Sequence, residues 1–97
     1  MAIRVVARFM IDKDNVDEAI ATVFKELVEK TRQENGCISY DFHVDANEPN
    51  GFAMIETWES KEAIDAHLNS EHFKRLIPQF KQFSAGPERF ETYEQII

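Results

Sequence analysis

A single cysteine, Cys37, removes any internal disulfide as a support for the fold. No apolar run approaches the length of a membrane span. Positive charge is scarce: 11 Lys and Arg stand against 18 Asp and Glu, a net charge of −7. So acidic a chain speaks against nucleic acid, whose phosphates require a basic surface, and against an anionic membrane surface. Recognised catalytic signatures are missing as well. There is no nucleophile elbow, no P-loop and no dinucleotide fingerprint, and no flavin or nicotinamide site. Cys37 follows Gly36 at the start of a strand and has no base at a telling spacing. Met1-Ala-Ile-Arg-Val-Val6 leads straight into a strand, so no signal peptide is expected. These absences together point to the cytoplasm.

What is present describes one domain over residues 1–97. Apolar residues make up 43% and charged residues 30%, a balance that excludes disorder and yields a modest core. A chain of this size benefits from a partner subunit.

Ile3, Val5, Ala7, Phe9 and Ile11 alternate with Arg4, Val6, Arg8 and Met10, which predicts a strand with one apolar and one mixed face. Asp14 is positioned to cap a helix, with Asp17 as its acidic third residue. Val16, Ile20, Val23, Phe24, Leu27, Val28 and Thr31 form that helix's apolar stripe. Asn35-Gly36 supplies a left-handed stop.

Cys37 to Asp45 alternates again, with Ile38, Tyr40, Phe42 and Val44 on one side. Ala46 to Gly51 is turn chemistry, and Phe52 to Glu59 is the returning strand. Ser60 caps a helix whose inward residues are Ala63, Ile64, His67 and Leu68. Asn69-Ser70 interrupts and recaps it, and Phe73, Leu76, Ile77 and Phe80 extend the apolar face. Pro78 should kink or restart this helix. Glu88 to Ile97 is the last strand.

The order is β-α-β-β-α-β, the split βαβ or ferredoxin-like plan of the α+β class, with both helices on one face of an antiparallel sheet. The uncovered face carries Val6, Met10 and aromatics among its charges. Such a face predicts a homodimer closed sheet to sheet.

Chemistry concentrates between Met54 and Lys74, where a strand ends at Trp58-Glu59 and two capped helices follow. His67 lies on an apolar helix face, either as a packed histidine or as a proton acceptor facing a pocket. His72 follows the Ser70 cap. Two ligands on one helix face want a spacing of three or four, so the spacing of five between His67 and His72 argues against a metal site. Trp58 is either a core residue or a stacking wall with an N–H donor. Glu56 on the same face needs a partner if buried, and Arg4 and Arg8 are candidates.

The segments Gly36-Cys-Ile-Ser-Tyr40, Ile55-Glu-Thr-Trp-Glu-Ser60 and His67-Leu-Asn-Ser-Glu-His-Phe73 resemble the antibiotic biosynthesis monooxygenase family, and within it the small bacterial quinol monooxygenases. The similarity runs from Ile3 to Ile96. It implies a dimeric α/β barrel and oxidation of a quinol or similar aromatic by dioxygen, without metal, flavin or other cofactor. Trp58 and His67 match that family's pocket-facing pair, and His72 matches its second histidine. Tyr40, Phe42, Glu56 and Phe73 are the further candidates for the pocket, with the pocket-facing side of the strand at 37–45 left open. The haem-degrading branch fits poorly, because its tryptophan, ligating histidine and asparagine fall at His67, near Ile77 and near Arg8. A branch acting on a phosphorylated signal would need a phosphate cradle, for which Arg4, Arg8 and Lys74 are the available cations. Two alternatives stand beside the monooxygenase: a catalytically silent dimer that binds a small apolar metabolite, and an isomerase-type enzyme acting on a small signal molecule.

Overall fold

The computed structural model describes residues 1–97. Strand β1 (Ile3–Met10) is followed by helix α1 (residues 13–31), then the hairpin β2 (Cys37–Asp45) and β3 (Glu48–Trp58). Two short helices, α2 (Lys61–Leu68) and α3 (Glu71–Lys81), precede β4 (Arg89–Glu94). The four strands form one antiparallel sheet in the order β2-β3-β1-β4, as the ferredoxin-like reading expects.

Helix α1 starts earlier than Asp14. Asp12 caps a 3-10 turn by accepting from the Asp14 amide at 3.1 Å, and no side chain caps the α segment that follows. Its middle, Ile20–Phe24, is a π turn. Val23, Phe24, Leu27 and Thr31 are buried as the stripe requires, joined by Ala19, whereas Ile20 reaches solvent. The helix ends at Thr31 and a tight turn follows. Gly36 carries φ 84°, the left-handed conformation that only glycine adopts without strain. A Cβ there would sit 2.5 Å from the Ala63 Cβ, so the same glycine lets α2 approach the sheet.

The inner face of the sheet is legible as rows across strands. Thr92, Val5, Glu56 and Tyr40 form one row; Phe90, Ala7, Met54 and Phe42 form the next. A bulge between Cys37 and Ser39 breaks the alternation at the start of β2. It turns Cys37 as well as Tyr40 inward and leaves Ile38 exposed, contrary to simple alternation. The hairpin is also tighter than the turn chemistry suggests: only Ala46 and Asn47 turn, and β3 already includes Glu48 to Gly51.

Phe9, Phe24, Phe42 and Phe52 stack with centroid separations of 4.4–6.4 Å, and Phe80 meets Phe9 and Phe24 edge-on. This aromatic stack anchors α1 and α3 to the sheet. Ser60 caps α2 through the Ala63 amide, and Ser70 caps α3 through the Phe73 amide. Ser70 also donates to the His67 carbonyl at 2.7 Å, so one hydroxyl ends α2 and begins α3. Pro78 does not restart α3, which runs unbroken from Glu71 to Lys81. Proline at this position leaves the Lys74 carbonyl without its helical partner; Lys74 is exposed, so water can take that place.

Leu68, expected inward, is half exposed at the end of α2. The outer face carries Arg4, Val6, Arg8, Met10, Ala53 and Ile55, with Tyr93 as its aromatic from β4. No helix is long and apolar enough to cross a membrane.

Candidate active site

The two layers do not close completely. Between the inner face of β1, β3 and β4 and the helices α2 and α3 lies a cavity of about 610 Å³. Val5, Ala7, Phe9 and Met54 form its floor; Ile64, Leu68, Phe73, Ile77 and Phe80 form its helical wall; Phe90 and Thr92 close the β4 side. Three polar side chains sit among these apolar groups: Tyr40, Glu56 and His67. The exposed charges Lys61, Asp65, Glu88 and Glu94 edge the opening. An apolar cavity with a few convergent polar groups is the usual form of a small-molecule site.

His67 is nearly fully buried, with 4% of its side chain exposed. Its ring is held by Trp58 and Phe73, each 4.9 Å away between centroids, and by Tyr40 at 5.3 Å. Nδ1 lies 2.8 Å from Oε2 of Glu34. A carboxylate accepts, so Nδ1 carries the proton in the neutral ring and Nε2 keeps its lone pair. Nε2 has no protein partner, yet no buried side-chain nitrogen or oxygen is left without one, which places Nε2 on the open cavity side. Burial pushes the His67 pKa down, and the hydrogen bond and charge of Glu34 only partly offset this. The ring is therefore neutral and able to accept a proton at neutral pH.

Glu56 is also buried. Its Oε1 accepts from Nε1 of Trp58 at 2.9 Å, with both residues on the inner face of β3. Burial drives its carboxyl up to about 7, against the pull of the Trp58 N–H, and the Glu34 charge adds to the rise. The cavity thus holds a neutral base and a carboxyl poised near neutral pH, a pairing typical of sites that move protons. Burial likewise holds the Tyr40 hydroxyl well above its ordinary range, so it stays protonated.

Of the residues picked out in the sequence, Tyr40, Glu56, His67 and Phe73 line the cavity. Trp58, Phe42 and His72 do not. Trp58 is completely buried behind His67; its N–H is engaged by Glu56 and cannot serve as a donor to a ligand. Phe42 shares the row of Met54, but its ring fills the phenylalanine stack between Phe24 and Phe52. His72 points back into the protein, with Nε2 2.7 Å from Oε2 of Glu34 and 3.3 Å from Oγ1 of Thr31. Arg4 and Arg8 are not partners of Glu56: they share the outer face, where Arg8 pairs with Glu91 at 2.9 Å.

The residue that sequence reasoning missed is Glu34. It lies in the turn after α1, held by Glu34 N–H to Thr31 C=O and Cys37 N–H to Glu34 C=O bonds. Its carboxylate meets histidines 33 and 38 positions further on. An acidic residue in a turn carries no local signal of such distant partners. The break at Asn69-Ser70, read as separating the histidines, instead reorients the chain so that both rings converge on one oxygen.

The sequence profile of the antibiotic biosynthesis monooxygenase family matches residues 2–79. The chain belongs to that family. It is 30% identical over 90 residues to an uncharacterized protein of Synechocystis, an alignment covering 93% of this chain and 60% of that protein. The chain therefore spans less than two thirds of that relative. It is 31% identical over 85 residues to Rv0793 of Mycobacterium tuberculosis, provisionally named a monooxygenase, covering 88% of this chain and 82% of Rv0793. A crystal structure of an antibiotic biosynthesis monooxygenase superposes with a TM-score of 0.90 at 34% identity, over 98% of this chain and 99% of that one. The antibiotic biosynthesis monooxygenase fold thus carries the cavity, and His67, Glu56 and Glu34 give this member its polar centre.

Proposed function

We propose that this family member is a cofactor-independent monooxygenase that oxidises a quinol or similar small aromatic with dioxygen. The observation that carries the proposal is His67, whose Nε2 opens on an apolar cavity while Glu34 holds its other nitrogen. The cavity, at about 610 Å³, falls within the usual range for small organic ligands.

In this reading His67 Nε2 takes a phenolic proton, and the Glu34 carboxylate stabilises the imidazolium that results. The quinolate is electron-rich enough to reduce dioxygen itself. Inserting one oxygen atom into the ring and releasing the other as water converts a hydroquinone into a hydroxyquinone. All four electrons come from the substrate, so no further reductant is needed. Glu56, on the sheet side of the cavity with its carboxyl pushed up to about 7, donates the proton that the departing oxygen requires. The apolar walls keep bulk water from the anion. The partly apolar outer face, with Val6, Met10 and Ile55, supports a homodimer, and we place the enzyme in the cytoplasm. A phosphorylated substrate is less suited, because Lys61 is the only cation among the residues around the cavity.

The test is quinol-dependent oxygen uptake by the His67→Ala variant, with its urea midpoint measured on the same preparation. Loss of a general base predicts a fall of about 10²-fold or more per folded molecule. Undiminished turnover per folded molecule, accompanied only by lost stability, would show His67 to be a packing residue and not the base.

A further inference from the structure

Glu34, His67 and His72 place one carboxylate oxygen and two imidazole nitrogens within 4.8 Å of one another, behind the cavity wall. We propose that these three side chains form a binding site for a divalent transition-metal ion of the zinc or cobalt type. The donor set favours such an ion over calcium or magnesium, which take oxygen ligands. The three side chains come from separate elements and are already largely desolvated, with exposures of 15%, 4% and 12%.

The geometry is close to what an ion requires. The Nδ1 and Nε2 atoms lie 2.8 and 2.7 Å from the shared Oε2. Metal bonds of about 2.0–2.1 Å in a tetrahedral arrangement need ligand atoms somewhat more than about 3 Å apart. The carboxylate oxygen moves out by a few tenths of an ångström to make that room, and the two nitrogens, within 4.8 Å of each other, draw in around the ion. Thr31 Oγ1, 3.3 Å from His72 Nε2, or a water can complete the shell. Both imidazoles bind in their neutral form: each moves its remaining proton to the other ring nitrogen, and the ion replaces two hydrogen bonds to the carboxylate.

That proton movement has a consequence that rests on the reading of His67 as the base. With a metal on Nδ1, the neutral ring must carry its proton on Nε2. The group facing the cavity then changes from acceptor to donor, and the ion switches the base off without entering the cavity.

The experiment uses untagged, chelator-treated protein titrated with Co²⁺ and then Zn²⁺. One Co²⁺ per chain should bind with the visible absorption of a four- or five-coordinate centre, and Zn²⁺ should displace it. His72→Gln and Glu34→Gln should each weaken binding by about 10²-fold, the expected loss for one of three ligands. His43→Gln, which alters the exposed histidine on β2, should bind as the unchanged protein does. Circular dichroism on each variant shows whether the fold is retained. No stoichiometric binding, or binding that survives both ligand variants, overturns the site. These readings need no substrate, so they stand whether or not the monooxygenase reading does. In an active preparation, Zn²⁺ should inhibit oxygen uptake over its binding range, with recovery on adding EDTA. Full turnover with the site filled overturns the switch.

Discussion

Glu56→Gln isolates the energetic consequence of burying a carboxyl beside the cavity. The side chain keeps its shape, and its amide oxygen can still accept from Nε1 of Trp58. Only the ability to ionise is lost. In the folded protein the carboxyl titrates at about 7 instead of its ordinary 4.5. Folding therefore favours the protonated form. Its contribution to stability is complete below pH 4.5 and is lost progressively as the pH rises through about 7. Between pH 5 and pH 8 the unchanged protein should lose about 2–3 kcal/mol relative to the Gln variant, at 1.36 kcal/mol per pKa unit. With a denaturant slope of roughly 1–2 kcal/mol per molar urea, that separates the midpoints by about 1–3 M. The assay is urea unfolding of both proteins across this pH range, reading the difference between them. Taking the difference removes the contributions that the two proteins share. Parallel profiles would refute the argument, because they would mean that the carboxyl is solvated or paired in the folded state. An advantage for the charged form at high pH would refute it more strongly.

Two further substitutions test the scaffold. Gly36→Ala should destabilise by about 2–4 kcal/mol, combining left-handed strain with the collision against Ala63, and thermal unfolding should show a lower midpoint. Adding Ala63→Gly should recover the collision but not the strain, so fully additive effects would contradict the close approach. Pro78→Ala should raise stability by about 1–3 kcal/mol, since the restored amide can donate to the Lys74 carbonyl inside α3; a lower urea midpoint would show that the proline is needed to hold the helix.

Much of the framework can be read from the chain because local physics dictates it. The period-two pattern in β1 and the serine caps at Ser60 and Ser70 each act within a few residues, and each is found where it was expected. The polar centre is different. Cys37 joins Tyr40 on the inner face only because a bulge at Ile38 shifts the phase at the start of β2, and an alternating pattern does not announce where a bulge falls. Trp58 looks like a ligand wall from its place beside Glu56, but both residues face the same way, and their mutual hydrogen bond uses the donor. His67 and His72 look separated because helical periodicity was counted across a break that changes the direction of the chain. Glu34 has no local pattern at all.

The polar centre is assembled over long distances. Glu34 is 33 residues from His67 and 38 from His72. The row that holds Glu56 draws one residue from each of the four strands. No single hairpin or helix pair contains the reactive geometry, so a partly folded chain has no partial version of it. Proton transfer at His67 and cooperative folding then become one event seen by two probes. Loss of turnover and loss of tertiary structure should follow a single curve as denaturant is added, and intermediates on the folding path should be chemically silent.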